Sequence, residues 1–89
     1  MRLDVFLKRV GLCRQRTLAK ELCDGGRVRM DGGPAKAAKE VSRGRTLEIE
    51  LGREILRIEI TDLPERNYRK SDGEAFYRVI ERRESDLFS

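Results

Sequence analysis

The chain has 89 residues, 38% hydrophobic and 40% charged, with 20 Lys or Arg against 16 Asp or Glu, a net charge of +4 and no histidine. That is one domain's worth of sequence with a thin core, since a domain this small buries only roughly 60% of the surface its unfolded chain exposes. No apolar run approaches the roughly 20 residues that span a bilayer, the N-terminus lacks the apolar core and cleavage site of a signal peptide, and without histidine neither a zinc site nor a cysteine–histidine catalytic pair can be assembled from this chain alone.

The apolar residues recur with clear periodicity, which marks a folded domain with a charged surface and not a disordered chain. Leu3, Phe6, Leu7 and Val10 share one face of a helix over residues 3–10, with Asp4, Lys8 and Arg9 elsewhere, and Gly11 offers a stop. A second helical pattern runs from Arg14 to Asp24. Its buried arc is read as Leu18, Ala19, Leu22 and Cys23, with Arg14, Arg16, Thr17 and Lys20 on the opposite arc. With both cysteines, Cys13 and Cys23, on one helix, ten residues at ~1.5 Å rise would hold them about 15 Å apart, beyond the ~7 Å limit of a disulfide. Both are expected to be reduced and structural.

Gly25 and Gly26 end the second helix, and the period then changes to two: Val28 and Met30 alternate with Arg27 and Arg29. Asp31-Gly32-Gly33 supplies a hairpin turn, and Pro34, which cannot donate to a ladder, makes the return strand around Ala35 and Lys36 short and peripheral. The best strand pair is Thr46 to Leu51 with Ile55 to Ile60, joined by a tight turn at Gly52-Arg53. A polar connector containing Pro64 follows, and Ser71 with Glu74 three residues on resembles a capping box. From there a third helix is expected, with Ala75, Phe76, Val79 and Ile80 on its packed arc and Arg78, Glu81 and Arg82 outside.

Charge is unevenly distributed along this plan. Residues 1–45 hold twelve Lys or Arg against five Asp or Glu, giving +7, and residues 46–89 hold eight against eleven, giving −3. A basic half joined to an acidic one implies a dedicated anion-binding face, for which nucleic acid is the usual partner and an anionic membrane the less common one. Arg14, Arg16 and Lys20 on the second helix with Arg27 and Arg29 on the next strand form one candidate patch, which Arg2 and Lys36 would extend. Neighbouring phosphates reward such clustering, because each neutralised phosphate releases condensed counterions. Arginine dominates the patch, and its planar fork grips phosphate bidentately. No aromatic side chain interleaves with it, which favours docking on the backbone of folded RNA over base stacking. Asp4 reads as an N-terminal helix charge or the partner of a local arginine. Lys39, Arg43 and Arg45 are equally readable as solvated loop charges, and Glu48, Glu50 and Glu59 as the outer face of the sheet.

Arg2-Leu3-Asp4 with Leu7, then Arg16, Ala19 and Leu22, then Gly26, Val28, Asp31-Gly32, Val41 and Gly44 form a pattern over about the first 50 residues. That pattern resembles the S-four RNA-binding domain, named for a small-subunit ribosomal protein. Met1-Arg2-Leu3-Asp4 and Arg16-Thr17-Leu18-Ala19-Lys20-Glu21 are most similar to a small bacterial subfamily that includes the heat-shock-induced S-four protein and the P-site factor of ribosome-associated quality control. The resemblance implies an α+β, S-four-type (αL) fold: two N-terminal helices on a small, mainly antiparallel sheet, plus the C-terminal helix. The RNA-binding domain is expected to span residues 1–62 with the 46–60 hairpin, and residues 63–89 to form the connector and the helix packed on it. The family's RNA-facing positions fall on Arg2, Arg14, Arg16, Thr17, Lys20, Arg27, Arg29 and Lys36. Two positions depart from the pattern: the usual Gly-Asp is Gly44-Arg45 here, and the usual Asn-Gly turn is Asp31-Gly32-Gly33.

The function so implied is non-catalytic: docking on structured RNA of the large ribosomal subunit and on tRNA, as peptidyl-tRNA, in rescue or quality control of stalled nascent chains. A monomer in the cytoplasm is expected, with no cofactor, no membrane partner, and a nascent-chain-elongating quality-control factor as a further partner. S-four domains also occur appended to RNA-modifying and aminoacylating enzymes, so an accessory module of such a factor is the first alternative. A protein-interaction module that uses the acidic half is the second.

Overall fold

The computed structural model describes residues 1–64 and 76–84. Leu3, Phe6 and Leu7 line the buried side of α1 (Leu3–Arg9), Val10 follows as its C-cap, and Gly11, at φ 82, turns the chain away. The link that follows holds Arg14, and α2 (Arg16–Asp24) starts two residues later than the periodicity suggests. Cys13 therefore lies in the link and Cys23 in α2, so the helical spacing argument does not apply to them; both are nonetheless buried and free.

Beyond Gly26, at φ 75, come β1 (Val28–Met30), β2 (Gly33–Pro34), β3 (Thr46–Leu51) and β4 (Glu54–Ile60). Asp31 and Gly32 both have positive φ, 51 and 86, as a two-residue type I′ hairpin requires, and Met30 consequently faces Gly33. This tight turn brings the return strand forward to Gly33–Pro34 from the expected Ala35 and Lys36, and Pro34 does sit on an edge. Across the sheet, antiparallel in the order β2-β1-β3-β4-β5, Val28 faces Ile49 and Ile49 faces Leu56. Val28, Met30, Leu47, Ile49, Leu56, Ile58 and Ile60 share one core with the buried residues of both helices. The other sheet face carries Arg29, Glu48 and Arg57 in one row and stands open to solvent, as antiparallel sheets allow.

The expected C-terminal helix is overturned. Its proposed cap, Ser71 with Glu74, and Ala75 lie outside the described residues, but Tyr77–Glu84 form a strand, β5, paired antiparallel along the whole of β4. The spacing of Phe76, Val79 and Ile80 fits a helix, yet a one-residue bulge satisfies it equally: Ile58 faces Val79, Arg57 faces Glu81, and Ile80 is left between with no partner on β4. Long-range pairing to the exposed edge of β4 prevails over local periodicity. Phe76 still packs against the core, half-buried, and its carbonyl accepts from the Thr61 and Asp62 N–H groups. Val79 and Ile80, expected on a packed arc, are 42% and 43% exposed.

Leu18 is likewise misassigned. On a helix Ala19, Leu22 and Cys23 cluster within about 100°, and Leu18 falls a further 40° or so beyond Leu22; it is 42% exposed. Unfolding in urea should separate strand from helix at the C-terminus. Ile58→Ala, at a fully buried position, is expected to cost about 2–4 kcal/mol, whereas Ile80→Ala at the bulge should stay within about 0.5–1 kcal/mol.

Candidate nucleic-acid interface

The structure brings Arg2 and Arg16 together on one buried acid. Asp4, in the first turn of α1, is 1% exposed, the only charged side chain buried to that degree among the described residues. Its carboxylate accepts four hydrogen bonds: from Arg2 Nε at 3.1 Å and Arg2 Nη2 at 3.2 Å, from the Val5 N–H at 2.8 Å, and from Arg16 Nε at 3.1 Å. A carboxylate offers about four lone-pair sites, so its acceptor capacity is filled. Burial by itself would raise the Asp4 pKa, but the hydrogen bonds from Arg16, Arg2 and Val5 outweigh it and hold the carboxyl below its ordinary value.

Arg16 reaches Asp4 because it stands on the rim of the buried arc, three residues before Ala19, and not on the opposite arc the sequence reading assigns it. The local acid–arginine reading of Asp4 holds, with a second arginine that only the tertiary fold supplies. Both guanidiniums present their remaining N–H groups outward: the Arg2 side chain is 43% exposed and that of Arg16 56%. Arg2 lies just before α1 and Arg16 opens α2, so the acid fixes their mutual position.

Arg14, Thr17, Lys20 and Lys36 are exposed, and among the described residues Arg14, Lys20 and Lys36 form no ion pair. Lys20 follows Arg16 by one helical turn. Lys36 lies in the 35–41 segment, which is bound to the N-terminus: the Leu3 N–H donates to Lys39 O at 2.8 Å, Asp4 N–H to Ala37 O at 3.1 Å, and the terminal ammonium pairs with Glu40 at 2.8 Å. Arg27 and Arg29 are separated from this group. Strand alternation turns them to the open sheet face, because Val28 and Met30 point into the core between. The single patch read from the sequence is thus two surfaces.

Of the loop cations, Arg43 pairs with Asp62 at 3.0 Å and Arg45 with Asp31 at 2.8 Å, while Lys39 makes no ion pair among the described residues. Both departures from the family pattern meet in the Arg45–Asp31 contact, and Asp31 also accepts from the Thr46 N–H at 3.0 Å. Burial raises the Cys13 thiol pKa, and burial together with the nearby Asp4 charge pushes Cys23 up to about 11, so both thiols stay protonated and unreactive.

The S4 domain family matches residues 1–47, the span that holds this whole cluster. The chain belongs to the S4 domain family. An RQC P-site tRNA stabilizing factor from Halalkalibacterium halodurans is 43% identical over 79 residues, covering 89% of each chain. A Bacillus subtilis protein of the same name is 35% identical over 80 residues, 90% of this chain and 92% of that one. Heat Shock Protein 15 of Vibrio cholerae, solved as a trimer, aligns with TM-score 0.82 at 26% identity over 89% of this chain and 80% of its own. The solution structure of a hypothetical protein aligns with TM-score 0.76 at 34% identity, over 91% of this chain and 98% of that one.

Asp4 gives this S4 domain an acid-sensitive anchor. Its folded pKa is below its unfolded one, so its contribution is fully present above the ordinary value of 3.8 and is lost as pH falls from there through the lowered folded value. Chemical denaturation at a series of pH values should show stability falling below about pH 4, with a shallower fall for Asp4→Asn. At neutral pH, Asp4→Asn should cost about 1–3 kcal/mol, the range for a charged hydrogen-bonded group deprived of its charge.

Proposed function

We propose that this protein is a non-catalytic RNA-binding factor that docks on structured RNA of the large ribosomal subunit and on tRNA, in rescue or quality control of stalled nascent chains. The observation that carries the proposal is the pair of arginines, Arg2 and Arg16, held by one buried carboxylate while their side chains stay 43% and 56% exposed. Arginine forks fixed in this way meet phosphate with little ordering left to lose. Arg14, Lys20 and Lys36 add charge around them, and the Thr17 hydroxyl adds a polar contact. The similarity to RQC P-site tRNA stabilizing factors supports the same reading.

The mode of contact follows from what surrounds the arginines. Phe6 is buried and Phe76 and Tyr77 are half-buried, so among the described residues no aromatic ring offers a stacking platform beside the guanidiniums, and the phosphate backbone of folded RNA is the better match. The chain acts as one domain and as a monomer, with residues 1–62 binding RNA and β5 adding an edge strand to the sheet, alongside a factor that elongates the nascent chain.

Co-sedimentation with purified large subunits tests this proposal. Wild-type protein should sediment with the particle, and ribonuclease treatment should release it. With four to six phosphates engaged, log affinity should fall with log salt at a slope of roughly −3 to −5. Lys20→Ala should weaken binding by about 1–3 kcal/mol without altering the melting temperature, because Lys20 forms no ion pair among the described residues. Arg82→Ala, whose side chain pairs with Glu54 far from the cluster, should bind as wild type. Equal loss in the two variants would leave only a net-charge effect.

A further inference from the structure

We infer that the open face of the sheet carries a second phosphate-binding site, formed by Arg29, Arg57 and Thr46, and that the protein joins two RNA segments, one on each face. The inference rests on the RNA-binding reading above and extends it to residues outside the 1–47 span that the S4 family matches, since Arg57 belongs to β4.

Register places the site. Arg29 on β1 faces Glu48 on β3, and Glu48 faces Arg57 on β4, so the two arginines flank the same acid at two strand spacings, about 10 Å. Between them lies a depression of about 370 Å³ lined by Arg29, Asp31, Gly32, Thr46, Glu48 and Arg57. Thr46, two residues before Glu48 on the same face of β3, is short enough to leave the space open and brings a hydroxyl to it.

Electrostatics decides which ligand fits. Both acids of the depression are already engaged: Asp31 with Arg45 at 2.8 Å and Glu48 with Arg83 at 3.3 Å. Glu81, which faces Arg57 from β5, is engaged by the same Arg83 at 3.2 Å. Arg29 and Arg57 form no ion pair among the described residues, although each faces a glutamate across the ladder. Two exposed guanidiniums therefore remain for a ligand, beside Asp31, which Arg45 engages, and Glu48 and Glu81, which share Arg83. A tetrahedral dianion or a phosphodiester suits such a pair, because each arginine can give a forked hydrogen bond. Arg27 lies on the same face, one alternation from Arg29, and lines with it a neighbouring depression that also holds Glu50.

The consequence is a two-sided molecule. Arg2 and Arg16 look out from the helix layer, and Arg29 and Arg57 look out from the far side of the sheet, with the hydrophobic core between. A protein so arranged holds two RNA elements at the thickness of one small domain.

A bridging assay with the full chain separates the faces. One RNA hairpin is immobilised, protein is bound to it, and capture of a second, labelled hairpin is measured. Wild type should capture it. Arg29→Ala combined with Arg57→Ala should keep binding to the immobilised hairpin and an unchanged melting temperature, yet lose second-hairpin capture at least about tenfold, or 1.4 kcal/mol. Arg29→Lys with Arg57→Lys, which keeps the charge, should recover part of it. Capture that survives the alanine pair overturns the site and assigns bridging to association between copies of the chain. If the alanine pair loses affinity for an acidic peptide while RNA capture is unchanged, the face belongs to a protein partner and the proposal is overturned. Failure of the wild type to bind even the immobilised hairpin overturns the RNA reading as well.

Discussion

A carboxylate removed from water has to find partners, and in this protein the way Asp4 finds them determines the geometry of the whole helical layer. An uncompensated buried charge would cost several kcal/mol. Here the cost is met from three points of the chain: the residue before α1, the first-turn N–H of α1, and the first residue of α2. The crossing of two short helices, seven and nine residues long, is thereby constrained by directional bonds as well as by packing. Helices this short are marginal on their own. The same bonds restrict two long, rotamer-rich side chains that would otherwise be loosely held at the surface. Ordering them in the folded state removes an entropic cost from whatever binds them next. The anchor and the recognition surface are one set of atoms.

Elements governed by local rules were legible in the sequence. The face of α1 follows from Leu3, Phe6, Leu7 and Val10 at helical spacing, and the β3–β4 pair from strict alternation with a glycine turn at Gly52, whose φ is 64. Legibility failed where a distant partner decides the outcome. Phe76, Val79 and Ile80 satisfy a helical period, and only the edge of β4 makes Tyr77–Glu84 a strand. Leu18 fits an apolar arc, and only the packing of α1 against α2 shows that the arc stops short of it. Arg16 fits a solvated face, and only the position of Asp4 draws it inward. Among the site residues, Arg2 and Arg16 were legible as cations. Asp4 was legible as the partner of a local arginine, but its hold on Arg16, and the division of Arg27 and Arg29 from the pair, were not, because the placing of helices and strands against one another is a tertiary property.

The contact between Asp31 and Arg45 carries a related lesson. Taken singly, each residue departs from the S4 pattern, and each departure reads as a weakened resemblance. In the fold they are partners at 2.8 Å, and Asp31 adopts the left-handed φ of 51 that an Asp or Asn turn residue tolerates. Its other carboxylate oxygen accepts the Thr46 N–H, tying the β1–β2 turn to the start of β3. Hydrogen bonds to Thr46 and Arg45 lower its pKa. The two departures from the pattern are thus partners in this fold.

The sign change in charge along the chain also acquires a different meaning in three dimensions. From the sequence, residues 46–89 carry −3 and suggest an acidic surface for a basic partner. In the fold, Glu48, Glu54, Glu59 and Glu81 are each paired with an arginine of the same half, at 3.3, 3.0, 2.7 and 3.2 Å. Exposed pairs of this kind contribute about 0–1 kcal/mol each, so their main effect is on the field: they cancel most of the acidic potential that a basic partner would seek. In the other half, Arg14, Lys20, Arg27, Arg29, Lys36 and Lys39 have no such counterions among the described residues. Glu50 and Glu84 apart, the electrostatic contrast among the described residues of the two halves is therefore between cations available to a ligand and acids engaged by arginine, which favours a polyanion as the partner over a basic protein.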